Sequence, residues 1–205
     1  MVKQQVKMLI LSDTTDFPSR EIIEQLNKYK RRHFDFVFIL GDAETVVIRE
    51  AAALFETALV AMLPKEKFPK SICNELGTIN YNLQNMKVGE CIRVLGYGSQ
   101  FYNPTEVPID RYEKYQANML VSYHGLNRIH ERKDVRPDYN REEINRYAGL
   151  RNPQFVIHGE RKMNGETELS NGTKIIGCYG VCPIIFDFAV DLITHDVVGL
   201  GYKRG

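Results

Sequence analysis

The chain has 205 residues, of which 43% are apolar, so it can bury a sizeable core and is expected to form a single domain over residues 1–205. The formal net charge of +1 argues against a nucleic-acid partner, and no apolar stretch approaches the roughly 20 residues that a membrane helix needs. The N-terminus lacks a signal-peptide pattern and the four cysteines form no C-x-x-C pair, which predicts a cytoplasmic protein with free, buried thiols and no membrane insertion.

Strands and helices alternate in the first half of the chain. Short apolar runs predict strands at residues 6–11, 36–40 and 59–63. Helical patterns predict one helix of about fourteen residues from Ser19 and a second from about Glu44 to Thr57. The apolar residues expected on their buried faces are Ile22, Ile23, Leu26, Tyr29, Val47, Ile48, Ala51, Leu54 and Phe55. This order predicts a parallel sheet covered by helices.

The second half is richer in strands. Apolar runs predict strands at residues 91–96, 118–123 and 155–158, and a helix is expected from about Arg141, with Asn140 and Glu143 in capping-box positions. Asn164-Gly165 and Asn171-Gly172 are favoured hairpin turns, so the C-terminal stretch is expected to be mostly antiparallel. The polar residues 125–138 are the best candidate for a mobile or partner-facing loop.

Five segments carry the chemistry of the sequence. Two apolar runs end in aspartates that are 29 residues apart, in Ser12-Asp13-Thr14-Thr15 and Gly41-Asp42. The three later segments are Val94-Leu95-Gly96-Tyr97-Gly98-Ser99, Leu120-Val121-Ser122-Tyr123 and Val156-Ile157-His158-Gly159-Glu160-Arg161-Lys162. In this order they resemble the S-D-x-H, G-D, glycine-rich, L-x-S-H and G-H-x-H segments of the calcineurin-like metallophosphoesterase superfamily, especially its small prokaryotic and archaeal members.

The resemblance runs along almost the whole chain and implies an α/β fold, a four-layer αββα sandwich with mixed sheets and antiparallel C-terminal hairpins. Enzymes of this superfamily hold two divalent metals at the carboxyl ends of central strands, where the pair activates a water and clamps phosphate oxygens. By this resemblance Asp13 would be a ligand of one metal and Asp42 the bridging carboxylate. Both positions carry suitable oxygen donors.

Other positions of the implied metal centre have a changed chemistry. Thr15 and Tyr123 stand where the superfamily has histidines, although His124 is adjacent and a one-residue bulge would bring it inward. Glu160 and Lys162 replace both histidines of G-H-x-H. A glutamate can still ligate a metal, whereas a protonated lysine cannot.

The segment after the third strand is where the superfamily has an asparagine ligand and a catalytic histidine. Here Lys65 stands at the amide position and Glu66 at the histidine position. A second placement, on Cys73-Asn74-Glu75, restores an asparagine but needs eight or nine extra residues, so the first is favoured. Lys65 and Lys162 would then act as charge partners of the two strand-end aspartates and oppose a divalent cation.

Ordinary structural roles compete with this interpretation. Asp13 and Asp42 each follow a predicted strand and precede a helix, where aspartate is a common cap. His124 and His158 at strand ends are typical of hydrogen-bonded structural histidines. Four cations could instead line a pocket that holds a phosphate group without cleaving it, namely Lys65, Lys67, Arg161 and Lys162.

The substitutions predict a degenerate, catalytically inactive metallophosphoesterase-like protein, a pseudoenzyme without a cofactor. It would act as a binding or scaffold module for a protein partner or a phosphorylated ligand. The resemblance supplies a precedent, since a eukaryotic retromer subunit has this fold and works through protein contacts. The alternative is a weak or atypical metal-dependent phosphoesterase or phosphodiesterase that uses one divalent metal such as Mn²⁺, held by Asp13, Asp42, His124 and Glu160.

Overall fold

The computed structural model describes residues 2–63, 70–81, 85–88, 92–98, 116–126, 139–160, 164–194 and 197–205. The strands are β1 (Val2–Ser12), β2 (Phe36–Leu40), β3 (Leu59–Leu63), β4 (Ile79–Asn80), β5 (Asn85–Val88), β6 (Ile92–Tyr97), β7 (Met119–Ser122), β8 (Phe155–His158), β9 (Gly165–Glu168), β10 (Lys174–Gly177), β11 (Gly180–Val190) and β12 (Val197–Arg204). The helices are α1 (Ser19–Tyr29), α2 (Thr45–Leu54), α3 (Lys70–Glu75) and α4 (Tyr139–Arg151), with a 3₁₀ turn at Thr14–Asp16.

The strands form two mixed sheets of six strands each. The first sheet has the order β12-β11-β1-β2-β3-β4. Strands β1 to β4 are parallel to one another, and β11 is antiparallel to both of its neighbours, β1 and β12. The second has the order β5-β6-β7-β8-β10-β9, in which β5 and β9 are the antiparallel edge strands. Each sheet therefore has a parallel centre, which needs cover on both faces.

Side chains that alternate along the central strands build the layers. Ile10 of β1 and Val121 of β7 belong to one core between the two sheets. Their neighbours Leu9 and Leu120 point away from that core, Leu9 into a layer with α1 and α2 and Leu120 into a layer with α4. The arrangement is helix, sheet, sheet, helix, which confirms the predicted four-layer α/β sandwich.

Most predicted elements are confirmed, some with shifted ends. β2, β3 and β8 have the predicted bounds, whereas α1 has 11 residues rather than about fourteen. β1 extends beyond residues 6–11 because its polar first residues pair with β11 along the whole strand, from Val2↔Val190 to Ser12↔Gly180. Of the polar loop at 125–138, residues 127–138 lie outside the described part of the chain.

The two predicted hairpin turns have different outcomes. Asn171-Gly172 lies in the loop that joins the antiparallel pair β9 and β10, and Gly172 has the positive φ of +84° that favours glycine. The prediction for Asn164-Gly165 is wrong, because Gly165 already begins β9 and β9 pairs with β10 rather than with β8. Asn164 instead uses its side-chain oxygen to accept a 2.9 Å hydrogen bond from the Tyr179 N–H.

The capping box predicted at α4 is also wrong. The helix begins at Tyr139, so Asn140 is inside its first turn and is not the N-cap. Glu143 accepts a 3.0 Å hydrogen bond from Arg146 one turn further along. Within the described ranges, neither α4 nor any other helix has the length and apolar character needed to cross a membrane.

Candidate functional site

The candidate site lies where four parallel strands end. In the first sheet β1 leads into Asp13 and β2 leads into Gly41-Asp42, and in the second sheet β7 leads into Tyr123-His124 and β8 into Gly159-Glu160. Neighbouring parallel strands end at the same edge of their sheet. The topology thus brings each pair of segments together, and packing of the two sheets brings the pairs to one another.

A hydrogen bond between Ser12 and Gly159 joins the two sheet edges. The buried Ser12 Oγ donates to the Gly159 carbonyl oxygen at 2.9 Å. A Cβ on Gly159 would lie 2.0 Å from Ser12 Oγ, so only glycine permits this approach. The Gly159 N–H in turn donates to the Tyr123 carbonyl oxygen at 3.2 Å, which ties the ends of β7 and β8 into the same junction.

Tyr123 reaches from the second sheet onto the first. Its ring lies over Gly41, where φ is +80° and an added Cβ would lie 2.4 Å from Tyr123 Cε2. Burial first, and then the negative charges of Asp13 and Glu160, raise the pKa of Tyr123 above its usual range. Asp42 adds a smaller effect in the same direction. The hydroxyl therefore stays protonated and forms a hydrogen bond with the Asp13 carboxylate.

The two strand-end aspartates differ in exposure and in their position relative to the elements that follow them. Asp13 is half-buried and has a left-handed backbone, with φ of 49°, whereas Asp42 and Thr15 are exposed. Asp13 makes no side-chain capping bond to the 3₁₀ turn that follows it. The N-cap of α2 is Glu44, not Asp42. The capping interpretation is therefore wrong for Asp42 at α2, whereas Asp13 has the N-cap position of the 3₁₀ turn without the side-chain bond.

A buried arginine holds the carboxylate of Glu160. Arg141, in the first turn of α4, donates from Nε to Oε2 at 3.0 Å and from Nη2 to Oε1. The Gly125 N–H donates to Oε2 at 3.0 Å, and His124 Nδ1 lies 3.7 Å from Oε1. The Arg141 and Glu160 side chains are only 7% and 14% exposed. The contact is bidentate and charge-assisted, and both side chains are largely buried.

The contacts of Glu160 keep it ionised. Burial alone raises the pKa of this carboxyl, but His124, the Arg141 guanidinium and the Gly125 N–H outweigh that effect. The pKa of Glu160 therefore lies well below its usual range. At neutral pH the negative charge at this position is compensated by a fixed guanidinium.

These contacts do not fit the two-metal centre that the resemblance implies. Both oxygens of Glu160 face Arg141, and Asp13 faces the Tyr123 hydroxyl. A fixed guanidinium repels a divalent cation at the same carboxylate. Across the part of the chain that the structure describes, no group of three or more His, Cys, Asp or Glu side chains is arranged to hold a metal ion.

Lys65, Lys162 and Asn74 are the other residues proposed from the sequence for this site. Lys65 and Lys162 are outside the described residues, so their role as charge partners of the aspartates stays a prediction. Asn74 lies near the end of α3, which leads from the carboxyl end of β3 towards the start of the parallel strand β4. Asn74 is exposed, and the second placement stays a prediction.

His158 has the environment of a packed structural histidine. It is the last residue of β8 and is 1% exposed. Its ring lies so close to Gly125 that an added Cβ there would be 3.2 Å from Nδ1. Its carbonyl oxygen accepts a 2.8 Å hydrogen bond from the Cys178 N–H, which continues the pairing of β8 with β10.

Arg141 is the site residue that the sequence analysis missed. The helical pattern places it at the start of a helix and indicates no partner for it. A cation in the first turn of a helix faces the positive end of the helix dipole, which is unfavourable by itself. That unfavourable position was the available signal that Arg141 has a specific acidic partner elsewhere in the fold.

No protein-family model matches the sequence, and no curated protein matches it either. Solved structures do match. A dimetal phosphatase from Danio rerio superposes with a TM-score of 0.57 over 97% of this chain and 98% of that one, at 9% identity. GAP50, the anchor in the inner membrane complex of Plasmodium, has a TM-score of 0.51 over 98% of this chain and 89% of that one, at 12% identity. Vps29 from Entamoeba histolytica, complexed with Zn²⁺, has a TM-score of 0.44 over 98% of each chain, at 10% identity. The chain therefore has the fold of the calcineurin-like metallophosphoesterases.

Proposed function

We propose that this protein is a non-catalytic module with the metallophosphoesterase fold, whose role is to bind or anchor a protein partner. The observation that carries the proposal is the buried pair of Arg141 and Glu160 at the strand-end edge. Glu160 stands where the resemblance implies a histidine ligand of the metal centre. Its charge is balanced by a side chain that no metal can replace without first breaking two hydrogen bonds.

In the first sheet, too, a protein group contacts a carboxylate at a position that the resemblance assigns to the metal centre. Asp13 stands where the resemblance implies a metal ligand, and its partner is the Tyr123 hydroxyl, which burial keeps protonated. Ring packing of Tyr123 over Gly41 fixes that hydroxyl in place. Hydrogen-bond donors from the protein thus occupy the surroundings of both carboxylates, which stabilises the charges without supplying a Lewis acid or a metal-bound nucleophile.

A binding role needs surface contacts rather than a metal centre. GAP50, the anchor in the inner membrane complex of Plasmodium, supports anchoring as a use to which the fold has been put. A phosphorylated ligand is the other partner considered from the sequence. The four cations that would hold it, Lys65, Lys67, Arg161 and Lys162, lie outside the described residues, so that pocket rests on the sequence alone.

Metal loading together with a phosphodiesterase assay tests the proposal. The wild-type protein, Asp42→Ala and Asp16→Ala would each be incubated with excess Mn²⁺ and desalted, then assayed for bound metal and for hydrolysis of bis(p-nitrophenyl) phosphate. Asp16 is an exposed aspartate on the neighbouring 3₁₀ turn and serves as the matched control for loss of a surface carboxylate. We expect less than stoichiometric metal in all three proteins and turnover at the buffer background.

The opposite result would identify a metal-dependent enzyme. Stoichiometric Mn²⁺ in the wild type and in Asp16→Ala, lost together with hydrolysis in Asp42→Ala, would overturn the non-catalytic proposal. It would establish the alternative phosphoesterase, with Asp13, Asp42, His124 and Glu160 as the metal set. Arg141 would then have to release Glu160 when the metal binds.

A further inference from the structure

The turn between β10 and β11 carries two cysteines whose thiols are in contact. Cys178 directly follows β10 and Cys182 is the third residue of β11, and Gly180 reverses the chain between them with φ of +72°. The two cysteines are 1% and 7% exposed. Both side chains lie in the core between the two sheets, and a hydrogen bond between the two thiols affects the pKa of each.

Arg204 places a positive charge against Cys182. Its Nη1 lies 3.9 Å from Cys182 Sγ, and its Nη2 donates to the carbonyl oxygens of Gly165 at 3.0 Å and Gly177 at 2.8 Å. The two carbonyls hold the guanidinium in place beside the sulfur. The hydrogen bond from Cys178, together with the charge of Arg204 and against the effect of burial, lowers the pKa of Cys182 to about 7.

The two thiols therefore have complementary roles. The shared hydrogen bond and burial raise the pKa of Cys178 well above its usual range, so Cys182 is the cysteine that ionises first. Cys73 shows the contrast, because it is buried in the helical layer of the first sheet and burial raises the pKa of its thiol. A thiolate beside a second thiol is the arrangement in which oxidation ends in a disulfide.

Solvent reaches the guanidinium that contacts Cys182. Arg204 lines an open cavity of about 400 Å³ whose other lining residues include Lys174 and Lys203. A small neutral oxidant such as hydrogen peroxide fits this cavity. Cys182 does not line the cavity itself, but it is the more exposed cysteine of the pair and contacts Arg204, so it is the sulfur that such an oxidant would meet first.

We propose that Cys178 and Cys182 form a redox modification site that a peroxide converts to an intramolecular disulfide. The Cys182 thiolate attacks one oxygen of hydrogen peroxide, the O–O bond breaks, and the leaving hydroxide takes up a proton to give water. Cys182 is then a sulfenic acid. The Cys178 sulfur attacks the Cys182 sulfur, the S–O bond breaks, and the departing hydroxide leaves as water with the proton of the Cys178 thiol. Two thiols are oxidised, and one peroxide is reduced to two waters.

Trypsin digestion releases Cys178 and Cys182 on one peptide that contains no other cysteine, so peptide mapping can detect a disulfide between them. The chain has no Lys or Arg between Lys174 and Lys203, so both cysteines fall in the peptide 175–203, whereas Cys73 and Cys91 fall in 71–87 and 88–93. The reduced full-length protein would be treated with hydrogen peroxide, alkylated without reductant, digested and analysed by mass spectrometry. We expect peptide 175–203 to lose two hydrogen atoms and to resist alkylation, with dithiothreitol reversing both changes. Peptides 71–87 and 88–93 should stay alkylated.

Variants separate the roles of the residues. Cys178→Ser should leave Cys182 as a sulfenic acid that reacts with dimedone, without the loss of two hydrogen atoms. Arg204→Met should slow oxidation at pH 7 roughly fivefold, the change expected if the pKa of Cys182 rises by about one unit. Arg20→Met, which removes an exposed charge on α1, is the control and should react at the wild-type rate.

Two outcomes would overturn the proposal. The first is a wild-type peptide 175–203 that remains fully alkylated after peroxide treatment. The second is a disulfide or adduct that joins Cys73 or Cys91 instead. Because the wild-type peptide map needs no substitution, this result does not depend on whether Arg204→Met folds.

Discussion

Replacing Arg141 by alanine tests most directly whether a protein cation has taken over the charge balance of the strand-end site. The Arg141 and Glu160 side chains are 7% and 14% exposed, and two guanidinium nitrogens contact the two carboxylate oxygens. Arg141→Ala leaves the buried carboxylate with only His124 and the Gly125 N–H, and loss of one partner of a buried pair costs about 3–5 kcal/mol. For a chain of this size each kcal/mol lowers Tm by roughly 2–4 °C, so a loss on the order of 10 °C is expected.

Urea denaturation of four proteins would measure the coupling between the two side chains. The set is the wild type, Arg141→Ala, Glu160→Gln and the double variant. Each single variant leaves one polar partner behind, whereas the double variant leaves neither charge, so its cost should fall short of the sum of the single costs by roughly 1–3 kcal/mol. Arg20→Ala is the control, because the Arg20–Glu24 pair is 89% and 60% exposed and should contribute less than about 0.5 kcal/mol.

Two results would refute this reasoning. One is a loss in Arg141→Ala no larger than that of the exposed control. The other is additivity of the two single variants, which would mean that the guanidinium and the carboxylate do not stabilise each other. Either result would remove the main support for the view that Arg141 has replaced a metal at Glu160.

Three further predictions concern the same junction. Because the pKa of folded Glu160 lies below the unfolded value of 4.5, protons bind the unfolded chain more readily, and the unfolding free energy should fall as the pH drops below 4.5. Glu160→Gln should weaken that pH dependence in urea titrations, and an unchanged slope would contradict the assigned pKa direction. Gly41→Ala should destabilise the fold by about 2–5 kcal/mol, because the methyl group meets the Tyr123 ring and φ is positive. Gly172→Ala has the same positive φ and open space, so it should lose only about 1–2 kcal/mol, and equal losses would exclude the clash. Tyr123→Phe should cost about 1–3 kcal/mol by removing the donor to Asp13, and a change in urea midpoint within error would show that this hydrogen bond is not stabilising.

The local predictions succeeded where a run of neighbouring residues decides the outcome. Phe36–Leu40 and Leu59–Leu63 are short apolar runs, and they form fully or largely buried parallel strands with the predicted bounds. The placement of Asp13 and Asp42 directly after strands follows from the same runs. Both aspartates then reach one edge of the sheet, because parallel strands in a helix-covered sheet end together.

The local prediction for Asn164-Gly165 failed because strand order is not a local property. This dipeptide has the chemistry of a hairpin turn. The strands on either side of it are nevertheless not neighbours, since β10 is inserted between β8 and β9. A turn signal shows that the chain can reverse, and the pairing of the sheet decides which strands the reversal joins.

The amino-acid sequence alone determined which chemical groups the strand ends carry: aspartates after β1 and β2, and tyrosine and glutamate where the resemblance implies histidines. Only the tertiary structure decided how those groups are balanced. Sheet packing sets Tyr123 over Gly41, and the position of α4 sets Arg141 against Glu160, 19 residues away along the chain. Strand-end chemistry follows from neighbours in the chain, whereas charge compensation in a buried site depends on which elements pack around it.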